Sequence, residues 1–260
     1  MARIELARSG ALARIRFADP ANRNAFNQGF CEDFARVALD VAAGPPPGAI
    51  LIEAEGDAFS VGGDIAGFLE QRDRIERYVL ELASLFHLGI TRLHGTGAPI
   101  LVAIKGVAAG GGFSLVCGAD LAIATRSAKF VSAYTSSGLT PDGGGSWFLP
   151  RLVGWQKAFE IMALNPVLSA DEALRLGIVT RVVEDADFAA AVETLAQTVA
   201  AMPSAALVGL KRLMRLGATA GLAETLDAEA ASIARQAGLP STLDMLDAFM
   251  ARSGTARRSR

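Results

Sequence analysis

Two short glycine-rich loops constrain this chain more than any other feature. One is Ser60-Val61-Gly62-Gly63-Asp64-Ile65, which comes soon after the strand-like run Ala49–Ala54. The other is Gly106-Val107-Ala108-Ala109-Gly110-Gly111-Gly112, which follows the apolar run 99–105 and leads into the helix-like segment 113–117. Glycine lets the main chain come close to a ligand or to another backbone. The first N–H groups of a helix have no intrahelical partner and point outward, so they suit a developing negative charge. Two such donors aimed at one oxygen make an oxyanion hole. Taken singly, each loop reads equally as a tight turn.

The segments around the loops read as a mixed α/β chain. Residues 4–7 and 11–17 form a hairpin about Ser9-Gly10. Asn27 caps a helix in which Phe30, Phe34, Val37 and Val41 recur at helical spacing, and Gly44-Pro45-Pro46-Pro47-Gly48 ends it. A long amphipathic helix is expected over 74–93, and strands over 99–105, 121–124 and 129–131. Strands and helices recur without a clean αβαβ alternation. That favours a coiled stack of strand-strand-helix units over a doubly wound sheet. Ser169-Ala170-Asp171-Glu172 reads as a capping box. Beyond Asp185 the pattern is helical over 188–201, 205–216, 223–237 and 242–250. The expected organisation is a core over 1–200 and a helical C-terminal region over 201–260, packed on the core or on a neighbouring subunit.

Composition narrows the function. Hydrophobic residues make up 51% and charged residues 20%, a globular balance. A net charge of −2 gives no bulk attraction to nucleic acid, and the basic run Arg257-Arg258-Ser259-Arg260 reads as a chain terminus. The apolar stretches 98–104 and 107–124 are broken by Lys105, glycines and Asp120, so no membrane partner is expected. Residues 1–17 hold no signal-peptide core, and Cys31 and Cys117 form no CxxC pattern. Both thiols fit burial in a reducing cytoplasm. Nucleophile-elbow, P-loop, HExxH and spaced GxGxxG motifs are absent. His87 and His94 share one helix face without companion ligands, so no metal site is expected. His87 reads as a satisfied or half-buried helix residue rather than a catalytic base.

The loops do not stand alone. The segments Ala58–Ile65 and Ile104–Gly112 resemble the two signature loops of the enoyl-CoA hydratase/isomerase (crotonase) superfamily. The resemblance continues through Asp120-Leu121-Ala122-Ile123-Ala124, Ala128-Lys129-Phe130 and Gly138-Leu139-Thr140-Pro141-Asp142-Gly143-Gly144. It extends to Leu149-Pro150-Arg151-Leu152-Val153-Gly154 and Ala173-Leu174-Arg175-Leu176-Gly177-Ile178-Val179. Residues 19–27 are similar to the family's early, coenzyme-contacting loop. The resemblance implies an α/β fold, the crotonase-like spiral of strand-strand-helix units with a helical C-terminal region. It implies an acyl-CoA thioester as substrate, no separate cofactor because coenzyme A is part of that substrate, and a homotrimer or a hexamer built as a dimer of trimers. It places the oxyanion donors at Gly63 and Gly111. It places Arg23, Ala25, Ala58, Gly62, Asp64 and Ile65 along the substrate path.

The hydratase pattern then fails. The two glutamates of the family's hydratases correspond here to Ser114 and Tyr134. Adding water across a double bond needs one group to activate water and another to handle the α-proton, and neither replacement does this well at its ordinary pKa. Efficient hydration is therefore not expected. Ser114 and Tyr134 become pocket-lining candidates, with Tyr134 a candidate hydrogen-bond donor to substrate or to Asp142. The position of Asp142 resembles that of the catalytic carboxylate in several double-bond isomerases, above all in the 1,2-epoxyphenylacetyl-CoA isomerase group. Their Pro-Asp-x-Gly-Gly stretch, followed by Trp and Leu-Pro-Arg, is matched by Pro141 to Arg151. Read from the residues alone, Asp142 is also a candidate helix cap. Three readings follow: an isomerase with Asp142 as acid/base, a thioester hydrolase or dehalogenase with Asp142 as nucleophile, and a non-catalytic acyl-CoA binder. Phe68, Leu82, Leu85, Phe86, Trp147 and Phe148 are candidates for the acyl pocket, though most of them read first as general core.

Overall fold

The N-terminal hairpin forms the edge of the main sheet. In the computed structural model, which describes residues 3–252, β1 (Ile4–Ser9) and β2 (Leu12–Phe17) pair antiparallel, with Ile4 opposite Phe17. The basic run at 257–260 lies outside the described residues. The Asn27 side chain accepts from the Phe30 N–H at 3.0 Å and starts α1 (Gln28–Ala43), whose Phe30, Phe34, Val37 and Val41 are all buried. Both the cap and the apolar stripe are as the spacing predicts.

From there the chain repeats one unit. β3 (Ala49–Ala54) joins the main sheet and β4 (Ala58–Ser60) a second, smaller sheet, and helices α2 (Ile65–Glu70) and α3 (Ile75–Gly95) follow. β5 (Ile100–Ile104) and β6 (Val107–Ala109) divide in the same way ahead of α4 (Gly111–Cys117). β7 (Leu121–Thr125) and β8 (Lys129–Val131) do so again, ahead of α5 (Gly145–Val153) and α6 (Trp155–Leu164). β9 (Leu168–Ser169), α7 (Ala170–Arg175), β10 (Arg181–Val183) and α8 (Phe188–Ala200) complete the core. The main sheet runs β1-β2-β3-β5-β7-β10, parallel from β2 onward. The smaller runs β4-β6-β8-β9, with β9 antiparallel. This is the spiral of strand-strand-helix turns expected from the sequence.

Side-chain alternation shows what each face of the main sheet packs against. β5 is buried along its whole length. Ile100, Val102 and Ile104 join the large core that holds Phe34 and Phe86. Leu101 and Ala103 join the core formed with Val192, Leu195 and Ala196 of α8. A parallel strand covered on both faces reads as an unbroken apolar run for this reason.

One local feature differs from the sequence reading. The segment read as loop before the long helix contains α2, capped by the Asp64 carboxylate accepting from the Gly67 N–H at 3.0 Å. Its brevity and its glycine hide it from periodicity. The capping box forms as written: the Ser169 hydroxyl accepts from the Glu172 N–H, and Glu172 accepts from the Ser169 N–H at 2.8 Å.

The described residues fall into two compact units, divided after Ser204. The second is helical, with α9 (Ser204–Gly217), α10 (Leu222–Ala237) and α11 (Pro240–Arg252). Within it the Gln236 amide donates to the Ala205 carbonyl at 3.1 Å. Leu210, Met214, Leu226 and Ile233 remain exposed. Among the described residues, no single helix is long and apolar enough to cross a membrane.

Candidate active site

The two glycine loops lie against each other. After β4 the Ser60 hydroxyl accepts from the Gly62 N–H at 3.1 Å and donates to the Asn24 carbonyl at 2.8 Å, tying the first loop to the early segment. The Phe26 N–H donates to the Gly62 carbonyl at 2.7 Å. Gly62 has φ +82°, and a Cβ there would sit 2.9 Å from the Ala109 carbonyl oxygen and 3.3 Å from the Gly111 nitrogen. Only glycine allows this approach. Gly111 opens α4, and a Cβ on it would lie 2.6 Å from the Phe26 ring. Among the described residues, neither the Gly63 N–H nor the Gly111 N–H donates to a protein acceptor. Both residues line one cavity of about 420 Å³. Two free N–H donors at such a wall can hold an oxygen that gains negative charge.

Asp142 lines the same cavity, held from two sides. The Tyr134 hydroxyl donates to Asp142 Oδ1 at 2.5 Å and lies 3.2 Å from the Ser114 hydroxyl. The next peptide is anchored too, because the Gly143 N–H donates to His87 Nε2 at 3.0 Å. With that nitrogen accepting, the imidazole carries its proton on Nδ1. Ala133, in the left-handed region at φ 62°, leads the chain from β8 into the turn that presents Tyr134. Burial, reinforced by the Asp142 charge, pushes the Tyr134 phenol above its ordinary range. The same two causes in the same order push the Cys31 thiol up to about 12. Both groups stay protonated at neutral pH.

The remaining wall is mainly apolar, with Phe26, Val61, Phe68, Leu82 and Phe86 prominent beside Glu76, Ser137 and Thr140. Of the six acyl-pocket candidates, Phe68, Leu82 and Phe86 line the cavity and Leu85, Trp147 and Phe148 do not. Trp147 is exposed and carries the Arg151 guanidinium 4.0 Å above its ring, while Phe148 stacks on His94 at 5.3 Å. The helical phase of α5 turns both away from the cavity. Asp142 does not cap α5: Gly144 holds that place, and the Asp142 carbonyl accepts from the Gly145 N–H at 3.0 Å.

The other candidate residues separate. Ile65 lines the cavity. Ala25 and Ala58 are buried beside it without lining it, and Gly62 sits behind Gly63 as the contact with the second loop. Asp64 serves as the α2 cap. Arg23, at φ 50°, is exposed and pairs with Asp57 at 3.7 Å. Ser114 is buried beneath Tyr134 and does not reach the cavity wall. Cys31 and His87 were not assigned to the site from the sequence. Neither belongs to a motif, and His87 and His94, on one helix face, have different partners. Among the described residues, no three His, Cys, Asp or Glu side chains are gathered as a metal would require.

Comparison with known proteins gives the family. The enoyl-CoA hydratase/isomerase family profile matches residues 7–240, and the chain belongs to that family. A 4-chlorobenzoyl coenzyme A dehalogenase from Arthrobacter sp. is 30% identical, over 95% of this chain and 90% of its own length. The 1,2-epoxyphenylacetyl-CoA isomerase of Escherichia coli K12 is 31% identical, over 81% of this chain and 80% of its own. A crystal structure from Mycobacterium abscessus, assigned to the hydratase/isomerase family, superposes with a TM-score of 0.91 at 29% identity and covers 96% of both chains.

Proposed function

We propose that this protein is an acyl-CoA isomerase that shifts a double bond, or rearranges a ring, through a thioester enolate. One observation carries the reading: Asp142 lines the same cavity as the unpartnered N–H groups of Gly63 and Gly111. Glu76, the other acid at the cavity, is exposed on the first turn of α3. The thioester oxygen accepts from the two N–H groups, and the Asp142 carboxylate takes a proton from the carbon beside the carbonyl. The electron pair moves into the carbonyl, where the two donors stabilise the oxyanion. Asp142 then returns the proton to the far carbon of the extended enolate. One carboxylate suffices, and no water is consumed. Ser114 and Tyr134 supply no second carboxylate, which argues against efficient hydration.

A panel of acyl-CoA thioesters, followed by mass and ultraviolet absorbance, tests this. A 3-enoyl-CoA or a cyclic analogue should convert without change of mass. A gain of water, or unchanged turnover by Asp142→Asn, would overturn it.

The dehalogenase relative favours a second reading, in which an Asp142 oxygen attacks an aryl carbon, expels halide and forms an ester that water hydrolyses. In ¹⁸O-water a first turnover would then label Asp142, and later turnovers would label the product. An isomerase labels neither. The exposed Leu210, Met214, Leu226 and Ile233 support association with another subunit; a homotrimer or dimer of trimers is the assembly proposed, which light scattering would test.

A further inference from the structure

Ser114 and Tyr134, at the positions of the two hydratase glutamates, touch each other and reach Asp142. The Ser114 side chain is buried, and its hydroxyl can donate to or accept from the phenol. The phenol in turn occupies one oxygen of Asp142. Building on the isomerase reading above, we propose that Tyr134 is the positioning residue of this site. It pins Asp142 Oδ1 so that Oδ2 takes and returns the substrate proton, and Ser114 aims the phenol.

The hydrogen-bond inventory supports this. A carboxylate presents two oxygens of equal basicity, and a hydroxyl on one of them lowers its claim on a proton. The phenol is itself hard to ionise in its buried place beside a negative charge, so it remains a donor through the cycle. With Asp142 charged, Tyr134 donates to it and accepts from Ser114. With the proton on Oδ2, the bond to Oδ1 persists. The loop therefore need not reorganise between the two proton transfers. The His87 anchor on the Gly143 N–H holds the peptide that follows Asp142.

Tyr134→Phe removes the hydroxyl and keeps the ring. We expect kcat to fall about 10- to 100-fold on whichever thioester the wild type isomerises, with KM changed by less than about threefold. Ser114→Ala should cost less, because the bond to Asp142 remains. Adding Tyr134→Phe to Asp142→Asn should cost nothing more, as expected of two groups that act as one unit.

A measurement without turnover separates this idea from the isomerase reading. The chain has two tyrosines, so Tyr78→Phe leaves Tyr134 as the single reporter. Its ¹³Cζ resonance should move when Asp142→Ala is introduced, and its ionisation should shift to lower pH. Full kcat in Tyr134→Phe, or a ¹³Cζ signal indifferent to Asp142, would overturn the positioning role even if Asp142 proves essential. Loss of the isomerase reading with the resonance shift intact would leave the Tyr134–Asp142 coupling standing and reassign the chemistry it serves.

Discussion

The Tyr134 hydroxyl sits 2.5 Å from Asp142 Oδ1, across eight residues of chain that contain Gly138, a left-handed turn residue at φ +73°. By the resemblance read from the sequence, Tyr134 stands at a hydratase glutamate position and Asp142 in the loop of the isomerase carboxylate, and the contact joins the two.

Asp142→Asn is the most direct test of the chemistry. The amide oxygen can still accept from Tyr134, so the loop should keep its shape. Loss of the base should lower kcat by about 10²- to 10⁴-fold, the usual worth of one acid/base group. Affinity for a non-reactive acyl-CoA, measured by calorimetry, should stay within about threefold, since the two N–H donors are untouched.

Gly111→Ala should damage stability and activity together. The new Cβ would stand 2.6 Å from the Phe26 ring and 3.3 Å from that of Phe86, both fully packed side chains. Overpacking of this kind costs about 1–3 kcal/mol, readable as a lower urea midpoint. Any shift of the first turn of α4 also moves the Gly111 N–H, so kcat/KM should fall about 100-fold or more. Gly95→Ala is the control. It meets nothing within 4 Å at the end of α3 and should leave both readouts near wild type.

Much of this site was legible in the residues because it is made of backbone. The glycine loops marked themselves, since a chain keeps Gly62-Gly63 and Gly110-Gly111-Gly112 in sequence wherever the main chain must pass closely. The apolar runs and the Asn27 and Ser169 caps gave the spiral its order, because strands buried on both faces and capped helices carry local signals. The sequence left the Tyr134–Asp142 bond open, since residue spacing does not say which way a short turn aims a phenol. His87 is the satisfied helix residue read from the sequence, but its partner Gly143 was not legible because it lies 56 residues away. Phe148 packs against the core, but the exposure of Trp147 was not legible, because an apolar residue next to a site motif does not reveal the phase of its helix.

His87→Ala should separate positioning from stability. The imidazole is exposed, so water can replace it as acceptor for the Gly143 N–H. The loss in folding stability should therefore stay within about 1 kcal/mol. The loop carrying Asp142 loses its anchor, and kcat should drop more than the urea midpoint suggests. His87→Gln, which offers a side-chain oxygen in a similar direction, should recover part of kcat. Equal activity in wild type and His87→Ala would show that Gly143 needs no anchor.

Cys31 gives a pH test of burial at the cavity. Its thiol is raised from 9.0 to about 12, first by burial and then by the Asp142 charge. Below about pH 9 the thiol is neutral in both the folded and the unfolded chain, and its contribution to stability is fully present. As pH rises from about 9 toward 12 the unfolded chain ionises while the folded one resists, so that stability is progressively lost. Cys117, raised chiefly by burial in the core, acts in the same direction. Urea midpoints at pH 8 and pH 10 should fall further for wild type than for Cys31→Ala, because the variant keeps Cys117 and lacks only the Cys31 titration. The variant starts lower, having lost buried contacts, but its slope with pH should be shallower. In native protein at pH 8, iodoacetamide should label neither thiol on the timescale that labels the urea-unfolded chain, since the thiolate is the reacting form. Rapid native labelling of Cys31, read by peptide mass, would show that the cavity leaves this thiol accessible and ionised.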